Sequence, residues 1–438
     1  MRPGSTIFAL SSGAPPSGVA VVRVSGPGAG TALNALCGDL PQPRRLLLRP
    51  VKDENGQVID RGLVAFLPGP GSFTGEDCAE FHLHGSRAVV AAVLRRLGSM
   101  PGFRQAEAGE FTRRAFINGR LDLTAAEALS DLIIAETESQ RRLAQANADG
   151  RQSRLYADWR ARLLHARAMV EAQLDFADEG DVPSSVAAVV WADVVELHDE
   201  MSAHLSGFEA AEIVREGFRV ALLGAPNAGK SSLLNYLAGR DVAIVSDEPG
   251  TTRDVLEVPL DLGGAKVIVA DMAGIREGAG KVESIGIERA RRMASLADLV
   301  LVLIDLCEPV EVAPPEGVDV VRVGTKCDIW SGSDGLEVDV RLSAHTGAGV
   351  SELLAMIGSR AAARTSAATE GVVPTRQRHT ELISSAVRNL GQALDPSLDL
   401  ELRAEALRLA GDEIGRLSGE IGTEEVLGAI FSTFCVGK

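Results

Sequence analysis

Cysteine is sparse: five in 438 residues, at positions 37, 78, 307, 327 and 435, an odd number with no framework spacing. That excludes a secreted disulfide scaffold, and all five read as free thiols of a reducing interior. Long apolar runs are missing too. No stretch reaches the ~18 uninterrupted apolar residues of a membrane helix, and the start, MRPGSTIFALSSGAPPSG, lacks the basic opening and apolar run of a signal peptide. The expectation is a cytoplasmic chain without a membrane anchor. Excess positive charge is also absent: 44 basic against 60 acidic residues give a net charge of -16, a repulsive field for nucleic-acid phosphates. Any RNA contact must use a local basic patch or a partner.

What is there organises into three textures. A 45% hydrophobic content supports globular folding, and the length suits roughly two to four domains. Residues 1 to about 119 mix β-branched runs (VAVVRVSG, AEFHLHG) with Gly/Pro turns and one helical pattern around Arg87 to Leu97, an α+β reading. From Leu121 the chain turns helical, with Leu155, Trp159, Leu163, Ala166, Val170 and Leu174 at helical spacing and a break at DEGDVPSS. A β/α alternation runs from about Gly217 to Ala363. A small-residue linker, AAARTSAATEGVVP, then leads into helices whose faces carry Leu382, Val387, Leu390 and Leu394. The fold class is therefore α/β and α multi-domain: an N-terminal α+β domain (1–119), then a helical domain (120–215 and 373–438) interrupted by an inserted α/β domain (216–372).

The inserted domain opens with an apolar run, GAPNAGKS and an amphipathic helix. In that context G-x-x-x-x-G-K-S is a phosphate cradle: Gly224 and Gly229 turn backbone N–H groups inward, Lys230 reaches the outer phosphates and Ser231 suits Mg²⁺. Asp271 closes a second apolar strand in front of Gly274 (DMAG). Lys326 and Asp328 of TKCD follow a third strand; the carboxylate accepts from the guanine N1–H and exocyclic amine, which adenine does not offer. Ser343 and Ala344 of SAHTG stand at a guanine carbonyl position. The ordered set GAPNAGKS, GTTRD, DMAG, TKCD, SA resembles the translation-factor-like GTPases, which usually have Asn where Thr325 stands. Ile275 occupies the place where Ras-like enzymes keep a water-orienting glutamine, so the catalytic group lies elsewhere, with Glu277 and Glu283 as candidates. Asn227 and Thr251 are oxygen ligands for a monovalent cation beside the phosphates. The terminal FSTFCVGK leaves Cys435 open between a lipid anchor, a buried filler and a working thiol, although CVGK is a poor prenylation box.

Over nearly its whole length the chain resembles the MnmE (TrmE) family of tRNA-modification GTPases. The carrying segments are VAVVRVSGP, SFTGEDCAEFHLHG, AGEFTRRAFINGRLDLTAAEALSDLI, LDFADEGDV, GAPNAGKSSLLN, SDEPGTTRD, IGIERA and FSTFCVGK. The resemblance implies an N-terminal domain that binds folate and dimerises, then a helical domain interrupted by a Ras-like P-loop G domain. It implies a reaction carried out with an FAD-dependent partner, MnmG (GidA), in a heterotetramer. An aminomethyl or carboxymethylaminomethyl group is placed on C5 of the tRNA wobble uridine, with a 5,10-methylene- or 5-formyl-tetrahydrofolate derivative supplying the carbon. GTP hydrolysis is stimulated by K⁺-dependent G-domain dimerisation.

By matched position the nucleotide set gains Ala228, Ser232, Ser246, Thr252 and Thr325. K⁺ ligands are Asn227 and Thr251 through side chains, with Ser246 and Glu248 through backbone carbonyls; Mg²⁺ ligands are Ser231 and Thr252; Glu283 orients water. Folate positions are Arg23, Glu80, Arg120 (more often Lys in the family) and Lys438, and Cys435 becomes a candidate for the modification chemistry. Met272, where the family has Thr, is read as packing. His82 and His84 alternate near Cys78 in a metal-like cluster that reads as structural. Arg113 with Arg114 and Arg141 with Arg142 are basic pairs, read as solvated faces or tRNA contacts. A ribosome-assembly switch and a remodelling GTPase remain alternatives, and neither requires folate. The first would want a basic GXXG module after the α/β stretch, and none is evident.

Overall fold

A computed structural model describes all residues except 1–3, 176–183, 245–255, 272–295, 311, 333–335, 422–427, 429, 433, 435, 436 and 438. Its contacts divide the chain into two compact units, residues 1–130, 153–160 and 412–438 forming one and residues 131–152 and 161–411 the other.

The first unit is built on a six-stranded sheet of β1 (Thr6–Leu10), β2 (Ser17–Ser25), β3 (Leu47–Lys52), β4 (Val58–Leu67), β5 (Cys78–Gly85) and β6 (Phe103–Gln105), in the order β3-β4-β5-β2-β1-β6. Only the β1–β6 pair is parallel. Helices α1 (Ala29–Cys37) and α2 (Arg87–Gly98) cover one face, where alternate strand residues such as Val22, Val24, Val64, Phe81 and Leu83 meet Leu33, Leu36, Val93 and Leu97. At the other face α3 (Glu110–Ile117) sets Phe111 against Ile7 and Ala9. Leu123 and Ala126 of α4 (Leu123–Ile134) pack with Phe431 and Phe434 near the end of the chain. Gly109 allows this approach: with φ of 64° it is left-handed, and a Cβ there would lie 2.5 Å from the Phe431 carbonyl oxygen.

The second unit contains α5 (Glu138–Ala148), most of α6 (Arg151–Asp175), α7 (Ser184–Ser206) and α8 (Phe208–Glu216). A second sheet follows, from β7 (Phe218–Gly224), β8 (Leu256–Leu262), β9 (Ala265–Asp271), β10 (Leu299–Asp305), β11 (Asp319–Thr325) and β12 (Val340–Arg341), with α9 (Lys230–Ala238) after β7. Its order is β12-β11-β10-β7-β9-β8, parallel except for the edge strand β8. Strands β7 and β10 are nearly continuous apolar runs because both faces are buried, whereas β11 is interrupted by the exposed Arg322. The unit is completed by α10 (Val350–Glu370), α11 (Gln377–Leu394) and the start of α12 (Leu400–Ser418).

Two expectations are corrected. The small-residue stretch from Ala361 is not a linker: α10 runs on to Glu370, and Gly371 ends it. Ala361, Thr365 and Ala368 fall on one buried face, and Ala368 packs with Ala210, Ala211 and Val214 of α8. Small side chains here let two helices approach closely. On α11 the buried stripe is His379, Ile383, Ala386, Leu390 and Ala393, so of the four expected residues only Leu390 lies at its centre. On α6, Tyr156 joins Trp159, Leu163, Ala166 and Val170 in the buried stripe, and Leu155 and Leu174 are half-buried shoulders. No helix among the described residues is long and apolar enough to cross a membrane.

Candidate functional site

In the second sheet the chain leaves β7 for β8 and β9 on one side and passes to β10 on the other. Such a reversal opens a crevice at the carboxyl ends of the strands, where α/β sheets bind ligands. The Gly224 to Gly229 loop occupies that position. Gly229, the N-cap of α9, has φ of 92°, and Asn227 takes φ of 65°, rare for a residue with a Cβ. These left-handed turns tilt successive N–H groups inward as an anion-binding nest at a helix N-terminus. Asn227 is exposed on the loop.

The Lys230 Nζ donates to the carbonyls of Gly224 at 2.8 Å and Ala225 at 2.9 Å. Burial lowers its pKa, and Asp271 partly offsets this. One residue on, the Ser231 hydroxyl donates to Asp271 Oδ2 at 3.0 Å, and Asp271 is buried at the end of β9. A hydroxyl and a carboxylate meeting beside a phosphate nest are a hard-oxygen donor set that fits Mg²⁺.

At the end of β11, Thr325 is 3% exposed. Its hydroxyl reaches the carbonyl of Ala228 in the phosphate loop at 2.8 Å, with the Ile304 carbonyl at 3.3 Å. Threonine here ties the end of β11 to the Gly224–Gly229 loop. Lys326, at φ of 59°, pairs with Asp305 at 2.6 Å. Burial raises the Asp305 pKa, but the bonds from Lys326 and the Cys307 N–H outweigh it and the carboxyl ends below its ordinary range. Asp305 was missed in the sequence; the signal available was an acid closing the apolar run VLVLID. A hydrogen bond from Ser343 holds Asp328 in its ionised form, below the usual carboxylate range. The buried Ser343 hydroxyl in turn accepts from the N–H groups of His345 and Thr346 at 3.2 Å each, and Ala344 is half-buried in the same turn. Ser232 lies in the first turn of α9. The structure thus gathers Asn227, Ala228, Gly229, Lys230, Ser231, Ser232, Asp271, Thr325, Lys326, Asp328, Ser343 and Ala344 around one end of the sheet. Ser246, Glu248, Thr251, Thr252, Met272, Gly274, Ile275, Glu277 and Glu283 lie outside the described residues.

A second cluster occupies the first unit. Arg23 and Glu80 are cross-strand partners on β2 and β5, joined at 3.0 Å. The Arg23 guanidinium stands 5.5 Å from the Phe73 ring centre and 5.9 Å from that of Phe111. Neither ring was singled out in the sequence. Arg120 is exposed and lies against the turn at Gly75, where a Cβ would come 3.3 Å from its Cγ. Gly437 settles beside β1: its carbonyl accepts from the Ser11 hydroxyl at 2.7 Å, and at φ of 102° a Cβ there would run into the Leu10 carbonyl. Cys435 and Lys438 lie outside the described residues.

The histidines and Cys78 have partners of their own, as the structural reading expects. Cys78 is buried against the Thr74 hydroxyl at 3.2 Å, His82 bonds Glu80 at 3.1 Å and His84 bonds Asp60 at 2.8 Å. The two basic pairs differ: the Arg141 and Arg142 side chains are exposed, a solvated face as expected, whereas Arg114 is not on one. Arg114 is buried and bonded to Glu76 and Glu110, while Arg141 and Arg142 both hold Glu138 at 2.7 Å.

Residues 6–120 match the family model described as the GTP-binding protein TrmE N-terminus, and residues 123–435 match the MnmE helical domain. A "tRNA modification GTPase MnmE" of Chelativorans sp. (strain BNC1) is 54% identical over 434 residues, covering 99% of this chain and 98% of its own. The chain belongs to the MnmE (TrmE) family. A second MnmE, from Mesorhizobium japonicum, is 54% identical over 444 residues, covering both chains completely. Among solved structures, a point variant of Aquifex aeolicus Era bound to GDP·AlF4⁻ is 28% identical, covering 32% of this chain and 56% of its own with a TM-score of 0.26. The G domain of the T. maritima FeoB is 27% identical over 33% of this chain and 98% of its own, with a TM-score of 0.25. Both of those overlaps span about a third of the chain, whereas the match to the MnmE proteins is end to end.

Proposed function

We propose that this chain is a cytoplasmic GTP-hydrolysing tRNA modification enzyme. In this reading it works with an FAD-dependent MnmG (GidA) partner, as a homodimer through its N-terminal domain. It adds an aminomethyl or carboxymethylaminomethyl group to C5 of the wobble uridine from a tetrahydrofolate one-carbon unit. The observation that carries the GTP part is the convergence of the Asn227–Ser231 loop, the Ser231–Asp271 pair and the Asp328–Ser343 pair at one end of the second sheet.

In this reading the loop N–H groups and Lys230 bind the β- and γ-phosphates. Asp328, kept ionised by Ser343, accepts two guanine N–H bonds, while Lys326 and Ala344 complete the base site. Thr325 holds the loop in register. Ser231 and Thr252 hold Mg²⁺; Asn227, Thr251, Ser246 and Glu248 hold K⁺. When bound, the two cations supply positive charge at the phosphate oxygens. Gly274 offers its N–H to the γ-phosphate and Glu283 orients water. Arg23, Glu80, Arg120 and Lys438 bind the folate, with the carboxylate facing the N–H edge of the pterin and the cations facing its carboxylates. Cys435 serves the modification chemistry.

GTP turnover is expected to be faster in K⁺ than in Na⁺ at equal ionic strength. Equal rates in the two salts would remove the cation role of Asn227. For the whole reading, mass spectrometry of wobble uridines from cells lacking the chain is decisive, and unchanged modification would overturn it.

A further inference from the structure

The two oxygens of Glu80 have different partners. Oε1 accepts from Arg23, and Oε2 faces His82 Nε2 at 3.1 Å. Glu80 and His82 are two residues apart on β5, so their side chains leave the same face of the sheet. Arg23 reaches that face from the neighbouring strand, opposite Glu80 in the register. None of the three is sealed in: the side chains of Arg23, Glu80 and His82 are 24%, 17% and 27% exposed. The carboxylate therefore borders solvent with its orientation set on both sides.

We infer that His82 is a positioning residue for Glu80, fixing the carboxylate rotamer that the N-terminal ligand meets; this rests on the folate reading above. The chemistry follows from lone-pair counting. An ionised carboxylate has about four acceptor sites on two oxygens. Arg23 donates one hydrogen bond to Oε1, through Nε, and His82 one to Oε2, so each oxygen keeps an acceptor site for a ligand. Two adjacent acceptors fit two adjacent N–H donors, the edge presented by a 2-amino-pyrimidinone ring. Arg23 alone does not fix this arrangement, because its hydrogen bond from Nε and the ion-pair contact of Nη2 both fall on Oε1 and leave the carboxylate free to turn about its last bond. A donor on Oε2 removes that freedom. His82 acts only through Glu80, and its ring requires no metal or second histidine, since His84 is engaged by Asp60.

The test is isothermal titration of 5-formyl-tetrahydrofolate into the full chain, comparing wild type, His82→Ala and His82→Gln, with thermal unfolding of each to verify the fold. Glutamine keeps an N–H donor of similar reach. The expected result is about fivefold weaker binding for His82→Ala, equivalent to ~1 kcal/mol, and restoration to within about twofold by His82→Gln. Wild-type binding with an unchanged affinity in His82→Ala would overturn the role of His82 and leave the folate reading standing. Equal weakening in both variants would overturn the hydrogen-bond argument. No binding by the wild type would remove the folate reading and this inference with it. Should His82→Ala unfold, the glutamine variant decides: an affinity several-fold below wild type in a folded protein overturns the inference.

Discussion

Thr325→Val is a near-isosteric replacement that removes one hydroxyl from the buried seam between β11 and the phosphate loop. The hydroxyl has one proton to give, and the shorter contact, 2.8 Å to the Ala228 carbonyl against 3.3 Å to that of Ile304, takes most of it. Ala228 is only 2% exposed, so water does not replace the lost donor. Leaving a buried acceptor unpaired costs about 1–3 kcal/mol. The loop lowers this cost by shifting the carbonyl toward solvent, which moves the neighbouring N–H groups at Asn227 and Gly229 off their left-handed geometry. A loop that holds its binding shape a fifth to a tenth of the time binds about five- to tenfold more weakly. Titration with a fluorescent GDP analogue should show this loss for Thr325→Val, while Thr325→Ser, which keeps the donor, stays within about twofold of wild type. Thr325→Asn, the residue usual in the family, should also retain binding. If valine binds as well as threonine while unfolding is unchanged, the hydroxyl is not bracing the loop.

Two further outcomes follow from buried features away from the nucleotide. Burial drives the His204 pKa down to about 4, with His379 adding to the effect and a bond to the Val372 backbone opposing it. The folded value lies below the unfolded one near 6.5, so the unfolded chain binds the proton first; stability is full above pH ~6.5 and falls as the pH drops toward 4, by about 3 kcal/mol in total. Urea midpoints of His204→Gln should therefore vary less between pH 6.5 and 4.5 than those of wild type, and parallel curves would refute the assignment. Gly109→Ala combines a strained left-handed φ of 64° with a Cβ placed 2.5 Å from the Phe431 carbonyl and 3.1 Å from the Phe434 Cβ. Hydrogen exchange at residues 431–434 should accelerate by an order of magnitude or more, consistent with a cost of about 1–2 kcal/mol for left-handed backbone alone, and unchanged protection would show that the tail does not depend on this approach.

How much was legible in the sequence depends on whether a feature is local. The phosphate loop is legible because strand, turn and helix follow one another within GAPNAGKSSLLN, and the backbone conformations it needs are set by Gly224, Gly229 and their neighbours. Asp271, Thr325 with Lys326, and Ser343 are legible in the same way, each at or just past the end of its own strand. The extension of α10 was misread for a local reason: AAARTSAATE has the composition of a linker, and only the burial of Ala361, Thr365 and Ala368 on one face, with Ala368 against the small residues of α8, shows that it is a packed helix. The N-terminal cluster is illegible for a different reason. Alternation places His82 and Glu80 on one face, but it does not say what stands opposite.

That is fixed by register, and the β2–β5 register sets Arg23 against Glu80 although the two are 57 positions apart in the chain. The same holds for Lys326 and Asp305, aligned by the parallel pairing in which Asp305 faces Thr325. A histidine next to another histidine in sequence invites a metal reading, because chemistry at short spacing is what a sequence displays. In the folded sheet each histidine has its own acid: Glu80, two residues away on the same strand, for His82, and Asp60 on the neighbouring strand for His84. Alternation along β5 and its pairing with β4 and β2 therefore decide the chemistry of this face: they convert two candidate ligands into two hydrogen-bond donors, one of which sits beside the Glu80 carboxylate that Arg23 also holds.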